Sequence, residues 1–279
     1  MKPILLPAFL LLAAGAIAQS TAATTTAQST ISAASHTPAA QSDTLTAQVC
    51  EWNKEPVTST NTGESRQVLK GATHDLSLLD IRAITLNPGQ STTQSPKDDN
   101  ADELVIVREG SLTITTGNTV KGLGPGGVAL FAVGAGHDFA NKGDQKATWY
   151  LFRFQSRLPE DKALVEQLGS PVLIDWPEMT VQQTAKGESR QIFSRPVAWL
   201  TKIDMHATTL NPGEVSHPPH THRSEEIILM RSGHVQEYID GKHCPATAGD
   251  LIFLASGSLH AVENKGTERC EYFALQWQQ

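Results

Sequence analysis

Short apolar runs separated by turn residues dominate the chain after residue 50. EIILM at 226–230, LIFL at 251–254 and YFALQW at 272–277 are rich in branched and aromatic side chains, with Gly, Pro, Asn or Asp between the runs. This pattern predicts an all-β chain whose short strands form a sandwich or a barrel. Asp240-Gly241 predicts a hairpin turn, because both residues tolerate a positive φ.

The pattern occurs twice. EW at 51–52, GESRQ at 63–67 and TLNPG at 85–89 return 124 residues later as DW, GESRQ and TLNPG, and ELVIVREG at 103–110 returns 123 residues later as EIILMRSG. We therefore predict two homologous modules, at residues 50–157 and 173–279. Residues 158–172 form the connection, in which Glu160 to Leu168 has the composition of a short helix.

The chain begins with residues that predict export. Lys2, an apolar run from Ile4 to Ile17 and the small residues before position 19 indicate a signal peptide at residues 1–18. Residues 19–49 are mostly Thr, Ser, Ala and Gln, a composition that predicts a flexible linker. We expect a periplasmic or secreted protein without a membrane span after cleavage of the signal peptide.

The composition and net charge of the chain limit the classes of binding partner. The net charge is −7 and the sequence pI is about 5.8, with no cluster of basic residues, which argues against nucleic acid as a partner. A small-molecule partner is the expectation, for a monomer or a homodimer. Of the three cysteines, Cys244 and Cys270 are the pair expected if a disulfide forms, and buried free thiols are the equal alternative.

Histidines and acidic residues concentrate in HPPHTHRSEE at 217–226. Residues two apart on a strand face the same way, so His220, His222 and Glu226 share one side if the strand is continuous. His260, after a Gly-containing turn, is a fourth candidate ligand. Three imidazoles and one carboxylate suit one divalent transition metal (Mn, Fe, Zn, Ni or Cu) and leave positions for water or substrate.

The first module lacks part of this set. His260 and Glu226 correspond to His137 and Glu103, whereas the positions of His220 and His222 hold Lys97 and Asp99. A lysine ammonium repels a cation, so the first module is predicted to be a structural partner without metal. An ion held by Asp99, Glu103 and His137 remains the alternative.

The spacing of these residues resembles the cupin superfamily. Its first motif is read as Gly213, His220-Thr221-His222, Glu226 and Gly233, and its second as Gly249, Gly257, His260 and Asn264. The resemblance implies two tandem jelly-roll β-barrels with a short connecting helix. It also implies germin-type metal ligands at His220, His222, Glu226 and His260, with Mn or Fe favoured.

Two functions are compatible with this resemblance. The two-module organisation is similar to that of ureidoglycine aminohydrolases, which implies a metal-dependent bicupin enzyme with one metal centre in the second module. The predicted signal peptide makes this an exported enzyme in the first of the two hypotheses. It would act on a small polar or acidic organic substrate as a dioxygenase, decarboxylase, isomerase or aminohydrolase, with Glu226 as the catalytic proton-transfer group. The alternative is a non-catalytic periplasmic cupin that binds a sugar or a small acid.

Overall fold

The structure, a computed structural model, describes residues 44–94, 100–159, 161, 163 and 171–279. The predicted signal peptide lies outside the described residues, as do most of the predicted linker and nearly all of the predicted connecting helix. In the described part of the chain no helix is long and apolar enough to span a membrane.

Twenty-one strands were identified in the described residues. The first eleven are β1 (Gln48–Cys50), β2 (Val57–Ser59), β3 (Gly63–Gly71), β4 (Leu76–Leu86), β5 (Ser91–Gln94), β6 (Asp102–Glu109), β7 (Leu112–Thr116), β8 (Thr119–Leu123), β9 (Val128–Phe131), β10 (His137–Ala140) and β11 (Ala147–Ser156). The other ten are β12 (Val172–Ile174), β13 (Gln182–Thr184), β14 (Gly187–Arg195), β15 (Lys202–Leu210), β16 (Glu225–Ser232), β17 (His234–Ile239), β18 (Lys242–Thr247), β19 (Leu251–Leu254), β20 (His260–Glu263) and β21 (Cys270–Gln278). A 3-10 turn covers Trp176–Glu178.

Each module pairs a large antiparallel sheet with a small one, as the all-β prediction requires. In the first module the orders are β12-β9-β6-β11-β4-β3-β2 and β5-β10-β7-β8; in the second they are β1-β19-β16-β21-β15-β14-β13 and β18-β17-β20. The modules therefore exchange one strand each, because β1 joins the sheet of the second module and β12 joins that of the first.

The strand exchange corrects the predicted linker. Residues 44–49 were assigned to a flexible segment, yet Leu45 donates a backbone hydrogen bond to Ala72 and β1 starts at Gln48. Leu45 packs against the core between the modules, and Val49 packs inside the second barrel. Burial of these two apolar side chains explains why the end of this polar segment is ordered.

Alternation along the strands separates three apolar cores among the described residues. In β16, Ile227 and Leu229 face the core between the two large sheets, whereas Ile228 and Met230 face the interior of the second barrel. A third core fills the first barrel. The central strands are thus buried on both faces, which explains why their sequences read as continuous apolar runs.

The predicted hairpin turn is confirmed. Asp240 has φ 46° and Gly241 has φ 90°, and Asp240 is the one residue other than glycine with a positive φ in the described ranges. The three cysteines are free thiols, so Cys244 and Cys270 do not form the disulfide that was one of the two expectations.

The repeated sequence motifs have a structural role. Each module carries a tryptophan packed against two guanidinium groups: Arg66 and Arg108 lie 4.4 and 3.8 Å from the Trp52 ring centroid, and Arg190 and Arg231 lie 4.4 and 4.1 Å from that of Trp176. Such cation–π contacts stabilise partly buried arginines. This role accounts for the recurrence of EW/DW and GESRQ.

A buried carboxylate connects the modules. Glu225 accepts hydrogen bonds from the Thr73 hydroxyl (2.5 Å), the backbone N–H groups of His74 (2.9 Å) and Asp75 (3.2 Å), and the indole N–H of Trp277 (3.0 Å). Beside it, the Arg223 guanidinium contacts both oxygens of Asp75 at 3.0 Å. The modules are therefore joined by directional polar contacts as well as by the apolar core.

We predict that Glu225→Ala lowers the free energy of unfolding by at least about 3 kcal/mol, because several buried donors lose a charged acceptor. Denaturant titration followed by tryptophan fluorescence measures the loss, with Glu268→Ala at an exposed position of the second module as the control. Equal stability of the two variants would contradict the role assigned to Glu225.

Candidate metal centre

The strand that was expected to carry His220, His222 and Glu226 is not continuous. β16 starts at Glu225, and His220 lies before it in an isolated antiparallel bridge to His260. The two backbones exchange hydrogen bonds, from His220 N to His260 O at 3.1 Å and from His260 N to His220 O at 3.0 Å. This bridge, rather than strand alternation, brings the predicted ligands together.

The three imidazoles form a compact cluster. One nitrogen from each of His220, His222 and His260 lies within 4.8 Å of the others, and this is the one such histidine, cysteine or carboxylate group within the described ranges. The ring centroids are 5.3 Å apart for His220 and His222, 4.6 Å for His220 and His260, and 4.9 Å for His222 and His260.

Backbone carbonyls orient two of the rings. His222 Nδ1 lies 2.8 Å from the Ser224 carbonyl oxygen, and His260 Nδ1 lies 2.9 Å from the Ser258 carbonyl oxygen. A carbonyl only accepts, so both Nδ1 atoms carry a proton, and Nε2 is the nitrogen of each ring that faces the cluster. This is the arrangement by which proteins orient a metal-binding imidazole.

Glu226 completes the cluster as a carboxylate. Its Oε2 lies 3.2 Å from His222 Nε2 and 3.4 Å from His260 Nε2, and it accepts a hydrogen bond from the Gln276 amide at 3.1 Å. Burial raises the pKa of Glu226, but the hydrogen bond from His222 and the nearby His260 ring outweigh burial and lower this pKa to about 2. The hydrogen bond with Glu226 in turn raises the pKa of His222.

Two buried histidine nitrogens without hydrogen-bond partners in the described part of the chain are suited to bind a cation. His260 Nε2 and His220 Nδ1 are buried and have no hydrogen-bond partner of normal geometry among the described residues. Buried polar atoms of this kind are rare unless a ligand, water or ion satisfies them. Three imidazole nitrogens and a carboxylate are a donor set for a divalent transition metal, so the residues present fit the predicted metal.

The first module holds an arginine where the second has Gln276. Glu103 Oε2 lies 3.0 Å from His137 Nε2, and the Arg153 Nε–H donates to Glu103 Oε1 at 3.1 Å. Arg153 faces Glu103 across the β6–β11 pair in the same register as Gln276 faces Glu226 across β16–β21. In the first module the Arg153 guanidinium supplies the positive charge beside the glutamate, which supports the prediction that this module binds no metal. Lys97 and Asp99 lie outside the described residues.

A cavity opens beside the histidine cluster. It measures about 430 Å³, and Glu226, His260, Val262 and Ala274 are part of its wall. The first barrel holds Phe139 at the position of Val262 and Leu151 at that of Ala274, and both are buried in its core. Smaller side chains at these positions explain how the second barrel has space for a ligand.

Residues outside the predicted ligand set also line or support the cavity. His217 is exposed at the cavity, and its ring centroid lies 4.5 Å from that of His220. Lys186 donates hydrogen bonds to the carbonyls of Val215 (2.7 Å) and Ser216 (2.9 Å) and thus holds the loop before His217. Gln276 was detectable, because the internal repeat aligns it with Arg153.

Several known structures share this architecture. A variant of oxalate decarboxylase from Bacillus subtilis has a TM-score of 0.65 at 14% identity, with 84% of this chain and 78% of that chain covered. Oxalate decarboxylase from Lactobacillus farciminis, in a formate complex, gives 0.65 at 14% identity, with coverage of 84% and 87%. AerE from Microcystis aeruginosa gives 0.58 at 13% identity, with coverage of 84% and 98%. At these identities the likeness establishes the fold alone.

A search of curated proteins finds no match to the sequence. The cupin domain family matches twice, at residues 83–153 and 206–275, which together make up just over half of the chain. Each match falls within one of the two modules, and the second contains the histidine cluster. The chain therefore belongs to the cupin domain family, as a member with two tandem cupin domains.

Proposed function

We propose that this protein is a metal-dependent enzyme with a single metal centre in its second cupin domain, held by His220, His222, Glu226 and His260. The observation that carries the proposal is the convergence of these four side chains beside a cavity of about 430 Å³, whose wall includes Glu226 and His260. A divalent transition metal bound there supplies a Lewis acid that polarises an oxygen of the substrate.

The chain's own residues prepare the site. The Ser224 and Ser258 carbonyls fix the orientation of the His222 and His260 rings, so each Nε2 faces the cluster. A metal would displace the proton that His222 Nε2 shares with Glu226. Glu226 is ionised, which suits a metal ligand, and Gln276 orients its carboxylate. A carboxylate with so low a pKa is a weak base. Glu226 can therefore accept a proton from a substrate only after its contacts with His222 and His260 are broken.

The substrate proposed is a small organic acid. The cavity has room for a small molecule, and Lys186, His206 and His217 line it together with the hydroxyl groups of Thr208 and Tyr272. Glu188 also lines the cavity, but its carboxylate accepts a hydrogen bond from Arg269 at 3.1 Å. A carboxylate ligand would also place negative charge on the metal. The oxalate decarboxylases that share the fold support decarboxylation as the first reaction class to test.

Metal content tests the centre directly. Purified without an affinity tag, the protein should contain about one equivalent of a divalent transition metal by plasma mass spectrometry, and His222→Ala should lose most of it, because a ligand is removed. His243→Ala, at an exposed position of the same domain, should retain the metal. Absence of metal from the wild-type protein after reconstitution would contradict the proposal.

Activity is tested with oxalate and other small carboxylic acids on the metal-loaded protein. Decarboxylation of oxalate should appear as equal amounts of carbon dioxide and formate, without oxygen consumption. Oxygen uptake would instead assign an oxidase or a dioxygenase. Tight binding of an acid without turnover would favour the non-catalytic binding protein over the enzyme.

Another prediction concerns position 276, where the second domain has glutamine and the first has Arg153. Gln276→Arg should weaken metal binding by at least about tenfold, because the guanidinium would pair with Glu226 as Arg153 pairs with Glu103. Gln276→Met, which removes the amide without adding charge, is the matched control and should bind metal more tightly than the arginine variant. Metal affinities are measured by competition with a chromogenic chelator; equal affinities of the two variants would refute the electrostatic explanation.

A further prediction tests the role of the cavity independently of metal binding. Ala274→Leu introduces the side chain that fills the first barrel at Leu151. We expect the metal content to be unchanged, but the affinity for small acids, measured by isothermal titration calorimetry, to fall by at least tenfold because of steric exclusion (on the order of 1.4 kcal/mol). Unchanged ligand affinity would show that the ligand lies elsewhere.

A further inference from the structure

One carboxyl group inside the second barrel has no role in the site as described so far. Glu237 lies on β17 with a fully buried side chain (0% exposed), and its inward neighbours on that strand are Val235 and Ile239. Across the sheet it faces Cys244 on β18 and Val262 on β20. Its surroundings are therefore mainly apolar.

The carboxyl group is unpartnered. The backbone of Ala261 lies near it, but neither oxygen of Glu237 has a hydrogen-bond partner of normal geometry among the described residues. An unpaired carboxylate in an apolar core is very costly, so the group is the neutral acid in the metal-free protein. Consistent with this, burial raises the pKa of Glu237 well above its ordinary value, and the charge of Glu226 raises it further.

Glu237 lies near the histidine cluster, and neither of its oxygens forms a hydrogen bond with the described residues of the cluster. Val262, its direct partner, lines the cavity, and His260 is the diagonal neighbour on the same face of the sheet, at roughly 7 Å for such pairs. The titratable groups on the inward faces of the surrounding strands are Glu226 on β16, Cys244 on β18, His260 on β20, and Cys270 and Tyr272 on β21.

The first domain provides the comparison. Ile114 occupies the position of Glu237, pairs with Phe139 as Glu237 pairs with Val262, and is fully buried. The domain with the histidine cluster thus has an ionisable group at a barrel position where the domain with Arg153 has an apolar one. An acidic residue at this position destabilises the apolar core unless a nearby cation compensates the charge of its carboxylate.

We propose that Glu237 is the charge-compensating carboxyl of the metal centre: it holds its proton in the metal-free protein and releases it when a divalent cation binds to the histidine cluster. The O–H bond breaks, the proton passes to solvent and no electron is transferred. A divalent cation with Glu226 leaves one net positive charge, which the Glu237 carboxylate cancels through space. The inference rests on the proposed metal centre.

Isothermal titration calorimetry with Mn²⁺ at pH 7, repeated in buffers of different ionisation enthalpy, counts the protons released. Wild type should release about one proton more than Glu237→Gln, and the variant should bind Mn²⁺ about 10- to 100-fold more weakly. Glu268→Gln, an exposed carboxyl of the same domain, is the control and should match wild type in both measurements. Equal proton release by wild type and Glu237→Gln would overturn the proposal while leaving the metal centre intact.

Thermal unfolding of the metal-free protein gives a second readout. Because the pKa of Glu237 is raised in the folded state, folding takes up a proton above pH 4.5, and this penalty grows as the pH rises. Glu237→Ile, which restores the residue of the first domain, should therefore raise the melting temperature more at pH 7 than at pH 4. A pH-independent difference would refute the buried neutral acid. Failure of wild type to bind Mn²⁺ would refute the metal centre and the proposal together.

Discussion

Burial of both faces of the two large sheets is the constraint on which the rest of the structure depends. Successive residues of β16 belong to different environments: Glu225 accepts hydrogen bonds from the neighbouring domain, whereas Glu226 faces the histidine cluster. A shift of one residue in the strand register would exchange the two carboxylates. The contacts that hold the domains together therefore also fix the position of the proposed metal ligand.

Because the chain is duplicated, the interiors of its two barrels can be compared directly. Both barrels keep a glutamate and a histidine at equivalent positions, but the first adds the Arg153 guanidinium, and Phe139 and Leu151 fill its interior. The second has an amide and smaller side chains there, and it has a cavity. A few substitutions inside one fold thus distinguish a structural domain from a candidate site, because a cation site requires an uncompensated negative charge and free volume.

Periodicity and repetition were sufficient to predict the all-β fold, the two modules and the residues of the histidine cluster. The strand exchange was not predictable, since it depends on packing between distant segments such as Leu45 and the core. Nor did alternation explain the cluster, because His220 reaches His260 through an isolated bridge. The roles assigned to Gln276 and Glu237 depend on which residues they face on neighbouring strands. The repeat alignment predicts these strand pairings only in part.

Anomalous diffraction from crystals of the metal-loaded protein would test the central claim most directly. One anomalous peak should lie within coordination distance of His220, His222, Glu226 and His260, at about 2.0–2.3 Å from the donor atoms, and no peak should lie between Glu103, His137 and Arg153. A peak at the first-domain position, or the absence of a peak in the second domain at full metal occupancy in solution, would contradict the account.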